Sequence, residues 1–150
     1  MAEESVNPGV VTVRVAGNNA LVANIAVGNQ RIQIDESVEG VQHGSLNPYD
    51  HILSALGACT AITVQMYAQR KNWPLELVEV YLSHERRHPN DCANCQDDNA
   101  KLSHIKKQIR FVGDLTPEQK QRLEQISSRC PVQKTLQAGI AISSVLLDEV

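Results

Sequence analysis

The chain has 150 residues, 42% of them apolar, with a formal net charge of −3 and a pI near 5.9. That length supports one compact domain with a sizeable core and is short for two. The acidic balance argues against a general nucleic-acid partner, which needs clustered Lys and Arg to neutralise phosphate. With aromatics at 3% the core has to be built from Val, Ile, Leu and Ala, and no stacking platform for bases is expected. No uninterrupted apolar run approaches the roughly 20 residues that span a bilayer. Met1-Ala2-Glu3-Glu4 is acidic where a signal peptide is basic, so the expectation is a soluble cytoplasmic protein with no membrane partner. Four cysteines in such a chain are expected to be reduced, reactive or metal-bound rather than a disulfide framework.

Residues 10–36 read as three short strands, VVTVRVA, ALVANIAV and RIQIDE, rich in Val and Ile in near alternation. Their spacers, Gly17-Asn18-Asn19 and Gly28-Asn29, tolerate positive φ, which predicts an antiparallel meander. A polar connection over 37–46 leads to Asn47-Pro48, an N-cap followed by proline at the first helical position, with Asp50 in the first turn where the helix dipole favours it. From Pro48 to about Lys71 the apolar residues follow a helical period and small residues fill much of the rest. The helix is apolar on more than one face, which places it centrally. Asn72-Trp73-Pro74 ends it.

Residues 75–84 alternate as a strand with Val78, Val80 and Leu82 on one face, and 101–112 resume alternation through Leu102, Ile105, Ile109 and Phe111 with some breaks. The two are expected to pair as a hairpin, with the polar 86–100 as its long tip. Thr116-Pro117-Glu118-Gln119 is a capping box with proline inside it, opening a helix with Leu123 and Ile126 on its apolar stripe. A further short helix starts at Cys130-Pro131, and 140–147 read as a last strand.

Each cysteine context allows more than one chemistry. Cys59 lies within the long helix among Gly57, Ala58 and Ala61. It packs there as a small hydrophobe, or it uses the room beside it for a substrate. Cys130 follows Arg129 and precedes a helix, so cation and dipole both favour a thiolate. Together the two fit a peroxidatic thiol, oxidised to a sulfenic acid, and a resolving thiol that captures it as a disulfide. Cys92 and Cys95 form a Cys-x-x-Cys on the polar loop; with His84, His88 and His104 nearby in sequence they are weak zinc candidates, or incidental surface thiols. His51 could orient a substrate or simply be solvated, and Arg14 and Arg31 lie on strands where an arginine would support a thiolate.

Asn47-Pro48-Tyr49-Asp50, Leu53, Ala55-Leu56-Gly57-Ala58-Cys59-Thr60 and the distant Cys130-Pro131-Val132 resemble the OsmC/Ohr family, the osmotically inducible and organic hydroperoxide resistance proteins, in its OsmC-like branch. The order of elements is similar too, over about residues 10–149. The resemblance implies a single α/β (α+β) domain across 1–150: N-terminal antiparallel strands, a long central helix, a strand hairpin, C-terminal helices and a last strand, assembled as an intertwined homodimer. It implies thiol-dependent reduction of organic hydroperoxides, with Cys59 peroxidatic, Cys130 resolving, an external dithiol as reductant and no metal or organic cofactor. Tyr49, with Asp50 next, stands where the family has a glutamate that holds a catalytic arginine, and Arg31 is the nominal arginine. Two other readings stay open: a non-catalytic redox-sensing or ligand-binding protein, and metal binding through Cys92 and Cys95.

Overall fold

The computed structural model describes residues 9–17, 21–42, 44–86 and 103–148. Contacts divide the chain into two compact units, Met1–Ile52 and Leu53–Val150.

In the first unit β1 (Val11–Val15), β2 (Val22–Val27) and β3 (Gln30–Asp35) form the expected meander in the order β1-β2-β3. Val11 pairs with Val27, and Val22 with Asp35, fixing both antiparallel registers. The connection after β3 holds a short helix, α1 (Val38–Gln42), where the sequence shows only a polar run. Ser37 makes the turn. Its hydroxyl and N–H both donate to Asp35, and its oxygen accepts from the N–H of Gly40. A Cβ on Gly40 would lie 2.2 Å from Asp35 Cγ, so only glycine allows this close approach. Asn47 and Asp50 cap the next helix reciprocally, each side chain accepting from the other's backbone N–H at 2.9 Å.

That helix, α2 (Pro48–Lys71), runs 24 residues, from Leu53 onward in the second unit. Its buried face there is Leu56, Thr60, Val64, Tyr67 and Ala68, spaced to fall on one side of a 3.6-residue period. By length and mean hydropathy, 1.2 over its most apolar window, α2 is long and apolar enough to cross a membrane, a test that the core helix of a globular protein also meets, and Asp50, His51, Gln65 and Gln69 interrupt its apolar run.

The partners of that face come from the rest of the second unit. The strands β4 (Leu75–Arg86) and β5 (Ser103–Gly113) pair antiparallel, with Val80 opposite Ile109 and Leu82 opposite Lys107. Helix α3 (Pro117–Ser127) opens on the predicted capping box, Thr116 and Gln119 exchanging hydrogen bonds of 3.0 and 3.1 Å. Val64, Tyr67 and Ala68 pack with Leu123 and Ile126 of α3, and Trp73, Leu75, Val78, Phe111 and Leu115 close the cluster. Leu123 is fully buried, and excluding a side chain of that size from water contributes about 1.5–3 kcal/mol. Tyr67 adds direction: its ring meets Trp73 edge-on at 5.5 Å and its hydroxyl accepts from Arg122 Nε at 3.1 Å, tying α2 to α3.

A last short helix, α4 (Pro131–Ala138), follows. Beyond it residues 140–148 carry no regular structure, which corrects the expected last strand. The alternation is there, but a strand needs a neighbour to satisfy its backbone, and Ile142 and Leu146 are 87% and 97% exposed.

Candidate active site

The buried face of α2 brings Thr60 inward and leaves its neighbour Cys59 half-buried. Helix and hairpin lie close at this level: a Cβ added at Gly57 would sit 2.8 Å from Leu82 Cδ1 of β4, so the end of that side chain would have to shift. The room that the small residues promised beside Cys59 is thus taken at Gly57 by Leu82. Thr60 is fully buried, and its hydroxyl donates to the Leu56 carbonyl at 2.8 Å.

Cys130 is the N-cap of α4 and fully buried. Pro131 occupies the first helical position, where its missing N–H costs nothing. As a thiol Cys130 makes no cap hydrogen bond, but as a thiolate it gains from the groups around it. Burial pushes the Cys130 thiol up; against this, the Cys59 thiol, the Gln133 N–H, the Thr60 hydroxyl and the Val132 N–H all favour the anion. The balance lies below the ordinary thiol value of 9.0. Both cysteines are free thiols, Cys59 half-buried and Cys130 buried, and the Cys59 thiol lies near enough to Cys130 to favour its anion.

A third residue joins them that sequence reasoning missed. Lys107 lies on the inward register of β5, between Ile105 and Ile109. Its ammonium donates to Thr60 Oγ1 at 3.3 Å, to the Ser127 carbonyl at 3.2 Å and to Gln133 Oε1 at 2.5 Å. Four elements, α2, β5, the end of α3 and the first turn of α4, therefore converge on one nitrogen. Burial lowers the Lys107 pKa from its ordinary 10.5, while negative charge on Cys130 and Cys59 pulls it back up; the net is downward. The available signal was the break in alternation, a lysine at a position whose neighbours two residues either way are isoleucines.

The other candidates are engaged locally in the first unit. Arg31 donates to the carbonyls of Gly28 and Gln30 beside its own hairpin turn and is exposed. Asp50 serves the α2 cap, and the Tyr49 side chain is 47% exposed. Cys92, Cys95 and His88 lie outside the described residues. Among the described residues no group of three or more His, Cys, Asp or Glu side chains is placed to hold a metal ion.

A three-stranded meander, a long helix, a strand hairpin and two C-terminal helices define an α+β protein. A family model for OsmC-like protein matches residues 41–145, well over half of the chain, which therefore belongs to that family. Solved structures share the fold. An OsmC-like protein from Mycoplasma pneumoniae superposes with a TM-score of 0.66 at 19% identity, over 85% of this chain and 86% of that one. A hypothetical protein from Aquifex aeolicus gives 0.61 at 16% identity, over 86% of each chain. The organic hydroperoxide resistance protein OhrB of Bacillus subtilis gives 0.53 at 19% identity, over 83% of this chain and 87% of that one. Among curated proteins none matches the chain.

The thiol pair makes stability depend on pH in a defined direction. Because the folded Cys130 releases its proton below the ordinary 9.0, the unfolded chain binds more protons between the two values, and stability rises with pH there. The contribution is present above 9.0 and is lost as pH falls through the folded thiol's own value. Urea unfolding under reducing conditions should show the protein gaining stability from neutral pH towards 9.0, and Cys130→Ser should flatten that rise. An identical slope in wild type and Cys130→Ser would contradict the assignment.

Proposed function

We propose that the protein is a cysteine-based peroxidase that reduces organic hydroperoxides, with Cys59 as the attacking thiolate and Cys130 as the resolving thiol. The observation that carries this reading is the proximity of two free thiols, Cys59 half-buried and Cys130 buried. The Cys59 thiol passes its proton to the Cys130 thiolate that it faces, and the resulting Cys59 thiolate attacks the terminal peroxide oxygen of ROOH. The O–O bond breaks, Cys59 becomes a sulfenic acid, and the alkoxide leaves as ROH after taking a proton. The Cys130 thiolate, formed when that proton goes to the alkoxide, then attacks the Cys59 sulfur and expels hydroxide, which takes a proton from solvent and leaves as water; a disulfide remains. An external dithiol restores both thiols and is itself oxidised. Burial shields Cys130 from peroxide, so oxidation starts at Cys59.

The substrate class is supported by the apolar side chains that follow Cys59 on α2: Ile62 and Met66 are exposed, and they share an open depression with Leu77 and Val78 whose rim carries Gln65, Gln69 and Glu76 and which neither cysteine lines. Organic hydroperoxide resistance is also what the Bacillus subtilis structure is named for. The family match crosses the boundary between the two compact units, which supports one functional domain. We place the reaction in the cytoplasm, whose reducing poise keeps the thiols available.

We further propose a homodimer. Only a third of the most apolar stretch of α2 is buried within the chain. Ile62, Met66, Ile142, Val145, Leu146 and Leu147 are between 60% and 97% exposed. That much apolar surface marks an interaction site, and a second copy would also provide a neighbour for the alternating residues 140–147.

Purified protein is expected to consume cumene hydroperoxide with dithiothreitol. Cys59→Ser should reduce this to the uncatalysed background, whereas Cys92→Ser leaves it unchanged. Undiminished turnover in Cys59→Ser would end the peroxidase reading. Sedimentation should find a dimer that Ile62→Asp weakens; a monomeric wild type would refute the assembly.

A further inference from the structure

The Lys107 ammonium has three protons, and all three are directed at neutral oxygens, those of Thr60, Ser127 and Gln133. No carboxylate within ion-pairing distance of it is found among the described residues, and Arg110 of the same strand pairs with Glu79 on the exposed side of the hairpin. A partly buried cation without a counter-charge is costly, because its hydration is lost and only dipoles replace it. The acidic groups within reach of Lys107 are the thiols: among the described residues, Cys130 and Cys59 are the groups whose charge acts on it. Other ionisable side chains on the surrounding elements lie elsewhere. Glu124 and Arg129 at the end of α3 are exposed, and His84 is two residues along β4 from Leu82, the strand partner of Lys107.

We propose that Lys107 is the counter-ion of the dithiol: anchored by Thr60, Ser127 and Gln133, its ammonium stabilises the single negative charge that Cys59 and Cys130 share and keeps the pair singly deprotonated. This deepens the peroxidase reading by naming the positioning residue of the same site, and it rests on the thiol contact rather than on turnover.

The anchoring explains why a lysine, which would otherwise swing to solvent, stays. The Ser127 carbonyl belongs to the last turn of α3, where unpaired carbonyls attract a cation. Gln133 stands in the first turn of α4, and its backbone N–H faces the Cys130 sulfur while its side chain holds Lys107. One residue thus fixes both members of the ion pair. Thr60 links them a second way. Its oxygen accepts from Lys107, and its one proton serves either the Leu56 carbonyl or the Cys130 sulfur. Ionisation of the pair would turn that proton from the carbonyl to the sulfur.

The test follows the thiols and not the peroxidase. Thiolate ultraviolet absorbance is titrated in reduced wild type, Lys107→Met and Lys107→Arg. Lys107→Met, which keeps the length and removes the charge, should lower the thiolate present at a fixed pH below the wild-type midpoint by about tenfold. Lys107→Arg should recover most of it. A Lys107→Met titration that coincides with wild type would overturn the proposal, as would an equal loss in Lys107→Arg.

Should Lys107→Met fail to fold, the reciprocal measurement decides with the lysine intact. By linkage the thiolate must hold the proton on Lys107, so Cys59→Ser/Cys130→Ser should raise the rate of Lys107 acylation several-fold at a fixed alkaline pH, read by peptide mass. An unchanged rate would refute the pairing. A wild type inert to hydroperoxide whose thiol titration still responds to Lys107 would remove the peroxidase reading and leave the counter-ion standing.

Discussion

The buried stripe of α2, from Leu56 through Thr60 and Val64 to Tyr67 and Ala68, has to be covered, and α3 with the β4–β5 hairpin covers it. Apolar exclusion from water supplies the drive, and at Gly57 the helix meets the Leu82 side chain of the hairpin, whose end would have to shift for any larger residue. Leu82 is the strand partner of Lys107. The approach that completes the core therefore also delivers an ammonium to the Thr60 hydroxyl, one residue from Cys59.

Cys130 arrives by a different route. Pro131 cannot donate a backbone hydrogen bond and starts α4, so the residue before it must be the cap. Placing cysteine there surrounds a buried sulfur with the N–H groups of Val132 and Gln133, which favour an anion. Burial by itself would make the thiol inert. Its effect is overcome by hydrogen bonds contributed from α2 and from α4 itself, so packing and reactivity at this site come from the same elements.

Much of the fold was legible in local chemistry. Pro48 after Asn47, the Thr116–Gln119 box and Pro131 after Cys130 each mark a helix start, and backbone sterics leave few alternatives at such positions. The meander and the hairpin followed from alternation with turn residues between. Residues 140–147 misled for a physical reason: their alternation records a face to be buried, and nothing in the single chain buries it. The short α1 was missed because a one-turn helix held by Ser37 and Asp35 has no apolar period to read. Of the site, the two cysteines stood out by context. Lys107 did not, because a charged residue inside an alternating strand reads as a break, and its meaning lies in three oxygens distant in sequence. Arg31, the nominal cation, donates to the carbonyls of its own turn.

The central claim is that Cys59 and Cys130 act as one redox unit. Reduced protein treated with one equivalent of an alkyl hydroperoxide, then alkylated, digested and weighed without reductant, tests it most directly. The account predicts a peptide pair joined through Cys59 and Cys130, and its replacement by sulfenic acid at Cys59 in Cys130→Ser. A Cys59 that over-oxidises while Cys130 stays a free thiol in wild type would contradict it.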